Sequence, residues 1–352
     1  MKRCTLCILP SSFPNIKFNK DGICNICLNY KEESYKEKLA LKKILESYKN
    51  KEKGYNCIIP LSGGKDSTFV LYYAVKILNL KPIAINYDSG FQSKLAKENI
   101  KNICEILNVP LIIKANKINK KMIKEVLLIS ETLGAFVHIC GNCEAILRSI
   151  SINLAKKKNI SLILWGSTSI ENTEDEYISK TTVSGKKIII NLRTIKKFFR
   201  IFPHAINYYF LRVLQRIQMG IPKKYIFNIF NKVPFPKKKI KVIYFFDYIK
   251  YDPVKIIQTL EKEVKWKGPT NKDDRFDCLL HPFVNHLFLQ SLGISSDGYI
   301  YSNIIRNRNL RRGEALLKEN HIRKTVEKEC RNIINELDLK DYKMPIIKKS
   351  YN

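Results

Sequence analysis

Acidic residues are scarce and unevenly spread. The 352 residues hold 32 Asp or Glu against 63 Lys or Arg, a formal net charge of +31. From Tyr177 through Phe246 there is no acid at all, against sixteen Lys or Arg. Charge of one sign over seventy residues repels itself unless an anion is close, so a cationic partner is excluded for this segment. The anions it suits are a phosphorylated or nucleotide-linked substrate, RNA, or an anionic membrane surface, although Lys, Ile and Asn are abundant along the whole chain. Long apolar runs are missing too. No stretch reaches eighteen residues, so no membrane span is expected. The start, Met1-Lys2-Arg3-Cys4, has no apolar signal core, and a cytoplasmic protein is expected. Neither G-x-x-x-x-G-K-[ST] nor G-x-G-x-x-G occurs at its proper place, which removes the two commonest glycine-rich nucleotide loops. No internal repeat is visible.

What is present centres on Tyr55 to Thr68. The apolar run Cys57 to Leu61 has the length of a buried strand and ends at Ser62-Gly63-Gly64-Lys65-Asp66-Ser67-Thr68. Apolar residues then recur at Phe69, Val70, Leu71, Ala74, Val75 and Leu78 with helical spacing. A strand, a glycine turn and a helix N-terminus aim unpaired backbone N–H groups and the positive end of the helix dipole at one point. Such a point holds phosphate. Gly63 and Gly64 let the backbone approach the anion, and the Ser62 and Ser67 hydroxyls add donors.

Ten cysteines are present, six of them in C-x-x-C pairs, a usage that fits metal ligation in a reducing compartment better than disulfides. Cys4, Cys7, Cys24 and Cys27 form two knuckles sixteen residues apart, a spacing suited to a closed, structural tetrahedral Zn²⁺ site. A second pair, Cys140 and Cys143, lies in His138-Ile139-Cys140-Gly141-Asn142-Cys143, and Cys278 stands alone beside Asp277. Cys57, Cys104 and Cys330 are expected in the core.

Beyond Tyr55 the pattern alternates strand and helix, which predicts a parallel sheet with crossover helices. Expected strands are Pro82 to Tyr87, Leu111 to Ile113 and Ser161 to Trp165, with helices over Met122 to Leu133 and Ala145 to Lys158. The fold class is therefore α/β, a Rossmann-like parallel sheet with flanking helices, an N-terminal zinc ribbon and a C-terminal helical region. The expected divisions are 1–30 zinc ribbon, 31–54 connecting helix, 55–176 ATP-binding α/β domain, 177–246 basic insertion broken into short helices at Pro222, Pro234 and Pro236, and 247–352 mainly helical. Ligands of such sheets sit at the carboxyl ends of the strands. That places Ser62 to Thr68, Asp88 and Gly166 to Thr168 around one crevice, although Asp88 suits a turn or helix cap equally well.

The S-G-G-K-D-S run resembles the S-G-G-x-D-S loop of the PP-loop ATP pyrophosphatases. This implies the PP-loop (HUP-type) fold, binding of ATP with Mg²⁺ through Ser62, Gly63, Gly64, Lys65, Asp66, Ser67 and Thr68, and cleavage between the α and β phosphates. With the ribbon, Trp165-Gly166 and Arg311-Arg312-Gly313-Glu314-Ala315-Leu316, the chain is similar over residues 1–176 and 264–318 to N-acetyl sugar amidotransferases of surface-sugar biosynthesis. The resemblance implies adenylation of an acetamido oxygen on an anionic sugar or nucleotide sugar. Ammonia from a separate glutaminase and cyclase-like partner would then displace AMP.

The paired cysteines Cys140 and Cys143 depart from that likeness. With Cys278 they resemble the three-thiolate [4Fe–4S] site of PP-loop tRNA thiolases, which implies sulfide as nucleophile and RNA or a small metabolite as acceptor. Core or helix-start cysteines would fit the same residues. Lys65, Asp66 and Glu171 are the candidate catalytic side chains. Glu171, Asp175 and Glu176 would hold Mg²⁺, deprotonate an amine, or lie solvated in a loop. His281 would line the same pocket or cap a helix. A zinc-ribbon nucleic-acid-binding protein without catalysis is a third reading, opposed by the intact loop.

Overall fold

The computed structural model describes residues 2–30, 38–49, 54–133, 139–167, 192–227, 239–269 and 275–336. After a lone helix α1 (Lys38–Lys49), strand β1 (Cys57–Pro60) is buried at all four positions. Such a run, without polar alternation, belongs in the middle of a sheet covered on both faces. Helix α2 (Lys65–Lys76) carries the chain over to β2 (Pro82–Asp88), and α3 (Lys94–Ile106) carries it to β3 (Leu111–Ala115). The chain then returns through α4 (Ile118–Leu133) and α5 (Ile139–Lys157) to β4 (Leu162–Trp165), on the other side of β1. Asn79, Asn108 and Asn159, all at positive φ, close the turns that follow α2, α3 and α5. Asn substitutes there for the glycine more usual after a helix, because its short amide tolerates the left-handed region.

The five strands run in the order β3-β2-β1-β4-β5 and pair in parallel throughout. Ile58 in the centre faces Ile83 on one side and Ile163 on the other. The fifth strand, β5 (Lys241–Tyr244), comes from within the basic segment. Residues 177–246 are therefore not an appendage outside the sheet, because Val242 and Ile243 register against Ile163 and Leu164. Nor do the prolines divide the segment as expected. A single 27-residue helix α6 (Leu192–Gln218) continues through Pro203, and only a four-residue turn of helix follows Pro222. Pro203 lies on the exposed side, where water can take the carbonyl it leaves unbonded. Pro234 and Pro236 lie outside the described residues.

Three apolar cores result. On one face of the sheet, Leu71, Ile100 and Ile103 pack with Phe245, Phe246 and Leu260 of α7 (Pro253–Val264). On the other, Ile146, Ile150 and Leu154 of α5 pack with Ile58, Ile163 and Met219. The third joins the chain's two ends. Ile8, Leu9 and Phe13 of the ribbon pack with Phe283, Leu287 and Tyr299, drawn from α8 (His281–Leu292) and α9 (Ser296–Arg306), and with Val326 of α10 (Arg312–Glu336). Cys57, Cys104 and Cys330 are buried as expected.

Phe245 is fully buried, with its ring 5.2 Å from both Tyr73 and Phe246 in edge contacts. Phe245→Ala is expected to cost about 3–5 kcal/mol, read as a lower urea midpoint at unchanged slope.

Candidate active site

The strand order reverses between β1 and β4, and a cleft of about 600 Å³ opens at their carboxyl ends. Its floor is the Ser62 to Ser67 turn. Gly63 has φ +86°. A Cβ on it would lie 2.9 Å from both Cα and the carbonyl carbon of Ala96, and closer still to the oxygen. The turn is thus pressed against the start of α3, and only glycine fits. Four side chains hold its carbonyls. Asn86 Nδ2 donates to Leu61 O at 2.8 Å, Gln92 Nε2 to Ser62 O at 2.9 Å, and Trp266 Nε1 and Asn99 Nδ2 to Gly63 O at 3.0 and 3.3 Å. With its carbonyls tied back, the loop can turn its amides outward.

Gly64 caps α2 without any side-chain hydrogen bond, and the first helical bond runs from Thr68 N to Gly64 O at 3.2 Å. The amides of residues 65–67 therefore precede the helical ladder and belong to the cleft end. The Ser67 hydroxyl accepts from Ser62 N at 3.1 Å and lies 3.2 Å from Ser62 Oγ. Thr68 turns inward, donating to Gly64 O at 2.7 Å, and is fully buried. At Gly166, just beyond β4, a Cβ would stand 3.0 Å from Ser67 Cα. This glycine lets the two strand ends close on each other.

Lys65 Nζ lies 3.3 Å from Asp66 Oδ2 and 6.0 Å from the Tyr251 ring centre. Asp66 Oδ1 is buried without a hydrogen-bond partner, as is Ser167 Oγ, and both residues line the cleft. Asp277 comes in from the C-terminal region, its Oδ2 3.4 Å from where a Gly64 Cβ would stand. Two carboxylates beside a phosphate-binding turn repel the phosphates unless a cation lies between. The orphaned Asp66 oxygen and Asp277 are hard donors of the kind Mg²⁺ takes.

The opposite wall carries a charged cluster. Asp297 accepts from Asn285 Nδ2 at 2.9 Å, its Oδ2 lies 2.8 Å from His281 Nε2, and Arg275 is 3.9 Å away. Burial alone would raise the Asp297 carboxyl, but His281, Arg275 and Asn285 overcome it and hold the group well below the usual carboxylate range.

Four predicted ligands converge at the N-terminus. The sulfurs of Cys4, Cys7, Cys24 and Cys27 lie within 4.8 Å of one another. Backbone N–H groups of Cys7, Leu9, Cys24 and Cys27 point at the sulfurs at 3.2–3.5 Å, which offsets thiolate charge. This set fits zinc. Arg312 at the start of α10 donates to the carbonyls of Cys4 and Cys7 at 2.9–3.2 Å, tying the ribbon to the C-terminal helices.

Cys140, Cys143 and Cys278 are drawn toward one another from distant parts of the chain. Burial pushes the Cys143 thiol up to about 12, and Cys140 adds to it. Burial raises Cys278 further, with Cys140, Cys143 and Asp277 contributing. The three thiols thus lie within electrostatic reach. Among the described residues, only the ribbon's four reach ligand spacing.

Asp88 stands apart from the other predicted residues. It accepts from Gly90 N at 2.9 Å, pairs with Lys97 at 2.8 Å, and does not line the cleft. Thr168, Glu171, Asp175 and Glu176 lie outside the described residues. Trp266, Asn99, Gln92, Arg275, Asp277 and Asp297 carried no local signal for this site. They arrive by tertiary packing.

Residues 37–175 match the family model described as NAD synthase. This part of the chain is an NAD synthase-family domain of the PP-loop superfamily. An uncharacterized protein of Methanocaldococcus jannaschii is 32% identical to the chain over 116 residues, 32% of this chain and 42% of that protein. The tRNA(Ile)-lysidine synthase of Buchnera aphidicola is 30% identical over 129 residues, 31% of this chain and 28% of that protein. Each match thus spans less than half of the curated relative. Among solved structures, the U34-tRNA thiolase NcsA from Methanococcus maripaludis, with its [4Fe-4S] cluster, superposes at a TM-score of 0.37 and 15% identity. That superposition covers 93% of this chain and 89% of the thiolase.

Two outcomes test the PP-loop domain's cleft. Gly63→Ala is expected to lose ATP binding in calorimetry and to cost at least about 2 kcal/mol, from forced backbone strain plus the Ala96 clash. The depressed Asp297 acid stabilises the fold at every pH above the ordinary carboxylate range, and this is lost as pH falls toward its own lower value. Asp297→Asn is therefore expected to be about 2 kcal/mol less stable at neutral pH. In urea titrations across pH that deficit should shrink below about pH 4.

Proposed function

We propose that the chain is an ATP-dependent enzyme forming AMP and diphosphate, which adenylates the amide oxygen of an N-acetylated, anionic sugar or nucleotide sugar and then admits ammonia. The observation that carries this reading is the loop itself. Its carbonyls are tied back by Asn86, Gln92, Asn99 and Trp266, while its helix-end amides face the cleft. In the first step the acceptor's carbonyl oxygen bonds to the α phosphorus as the bond to the β-phosphate oxygen breaks, and the diphosphate leaves with the electron pair. The amides of residues 65–67 and the Ser67 hydroxyl hold that leaving group, donors fixed before charge develops and so costing no reorganisation. Lys65 adds positive charge at the same end. Mg²⁺ at Asp66 and Asp277 would neutralise the phosphates and polarise the α phosphorus. Ammonia then adds to the activated carbon, and AMP departs as the added nitrogen loses a proton. Asp297, held ionised in the opposite wall, and Arg275 are the groups placed to orient the acceptor. Ammonia would be delivered by a separate glutaminase and cyclase-like partner.

One observation favours a second reading. The convergence of Cys140, Cys143 and Cys278, with Asp277 lining the cleft next door, suits a three-thiolate [4Fe–4S] cluster. Such a cluster would present sulfide to the same adenylated carbon, with tRNA or a small metabolite as acceptor.

Incubated with ATP, Mg²⁺, ammonia and N-acetylated nucleotide sugars, the protein is expected to release AMP and diphosphate in equal amounts. Ser67→Ala should lower kcat by about 100-fold. Release of ADP and orthophosphate would sink the proposal. Iron and acid-labile sulfide in anaerobically purified protein, lost in Cys140→Ala, would move the assignment to sulfur transfer.

A further inference from the structure

Helix α6 shows two apolar faces where a packed surface helix needs one. Its inner face is accounted for: Ile201, Arg212, Gln215 and Arg216 are buried, and the helix lies along α4. On the other side Phe199, Phe202, Ile206, Phe210 and Ile217 remain 47–69% exposed. At 100° per residue these five fall within an arc of about 80°, and they extend for about 27 Å along the helix. Five large apolar side chains in one exposed line are a contiguous patch, not scattered surface residues, and patches of this kind mark an interaction surface.

The surrounding charge says what the patch meets. The stripe itself contains no charged residue, whereas Arg193, Lys196, Lys197 and Arg200 occupy the start of α6. The exposed Lys223 and Lys224 follow its end, beside the exposed Phe227. No acid occurs anywhere from Tyr177 to Phe246. An uncharged apolar line with cations at its two ends, on a helix lying along the protein's outside, is the pattern of a segment resting in the plane of a lipid interface. The rings and aliphatic groups enter the acyl boundary while Lys and Arg meet anionic headgroups. RNA fits the stripe less well. Phosphate tracking needs charges along the contact, and Ile206 and Ile217 offer no plane on which a base could stack. A second copy would bring another +31 chain against the first. Nor does α6 cross the bilayer, since no helix among the described residues is long and apolar enough to do so.

We infer that the outward face of α6, from Phe199 to Ile217, is a docking surface for an anionic membrane and holds the cleft close to a lipid surface. The test is vesicle flotation with the full-length protein. Vesicles of phosphatidylcholine alone are compared with vesicles of phosphatidylcholine and phosphatidylglycerol. Recruitment is expected only with the anionic lipid and should fall as salt rises. Phe199→Ser, Phe202→Ser and Phe210→Ser combined should lower the partition coefficient by at least about tenfold, with an unchanged circular dichroism spectrum. Lys196→Glu with Lys197→Glu should abolish the preference for anionic lipid. Absence of recruitment, or recruitment unchanged in the triple serine variant, overturns the inference. Two further results also overturn it: binding to single-stranded RNA that the serine substitutions abolish while vesicles are ignored, or a dimer that those substitutions dissolve.

Discussion

The closeness of the Gly63 turn to the Ala96 carbonyl is the contact on which the site depends. Because no side chain fits between them, the turn sits directly against the start of α3. Because it sits there, its carbonyls come within reach of Asn99 and Trp266, and its amides are left for the cleft. Gly166 repeats the device on the other side, bringing β4 against Ser67. Two missing β-carbons thus fix the width of the cleft mouth more firmly than any charge within it.

Electrostatics then follow from the backbone. A helix N-terminus and Lys65 make the floor positive, while Asp66, Asp277 and Asp297 put negative charge around and opposite it. The balance is met by partners of opposite sign placed close by. Asp297 is held ionised by His281 and Arg275, whereas Asp66 keeps one buried oxygen unanswered. That difference separates a carboxylate completed by the protein from one left for a ligand. The ribbon's sulfurs form a third case, facing each other at ligand spacing with amide hydrogens already directed at them.

Much of this was legible in the chain. The strand, turn and helix at Cys57 to Lys76 declare themselves because hydrophobic period, glycines and hydroxyls are all local, and the four ribbon cysteines do so by spacing. The strands Pro82–Asp88 and Leu162–Trp165 are apolar enough to stand out. The strand Lys241–Tyr244 does not, since it is short, half exposed and preceded by a run of lysines. Prolines misled in the basic segment, because Pro203 sits where water can repair the helix. The residues that brace the loop were illegible for a different reason. Trp266 lies 203 positions from the carbonyl it bonds, and nothing within its own neighbourhood records that pairing.

The third core, shared by the first thirty residues and the last helices, sets an order of events during synthesis. The two cysteine knuckles leave the ribosome first and can take up metal at once, yet Ile8, Leu9 and Phe13 have no cover until Phe283, Leu287 and Val326 have emerged. For most of translation this apolar patch waits uncovered, a long-range closure of the slow kind. Arg312, reaching the carbonyls of Cys4 and Cys7, then acts as a latch between the oldest and youngest parts of the molecule. Completion of the chain, rather than metal uptake, is the moment at which the nascent ribbon stops being a sticky end.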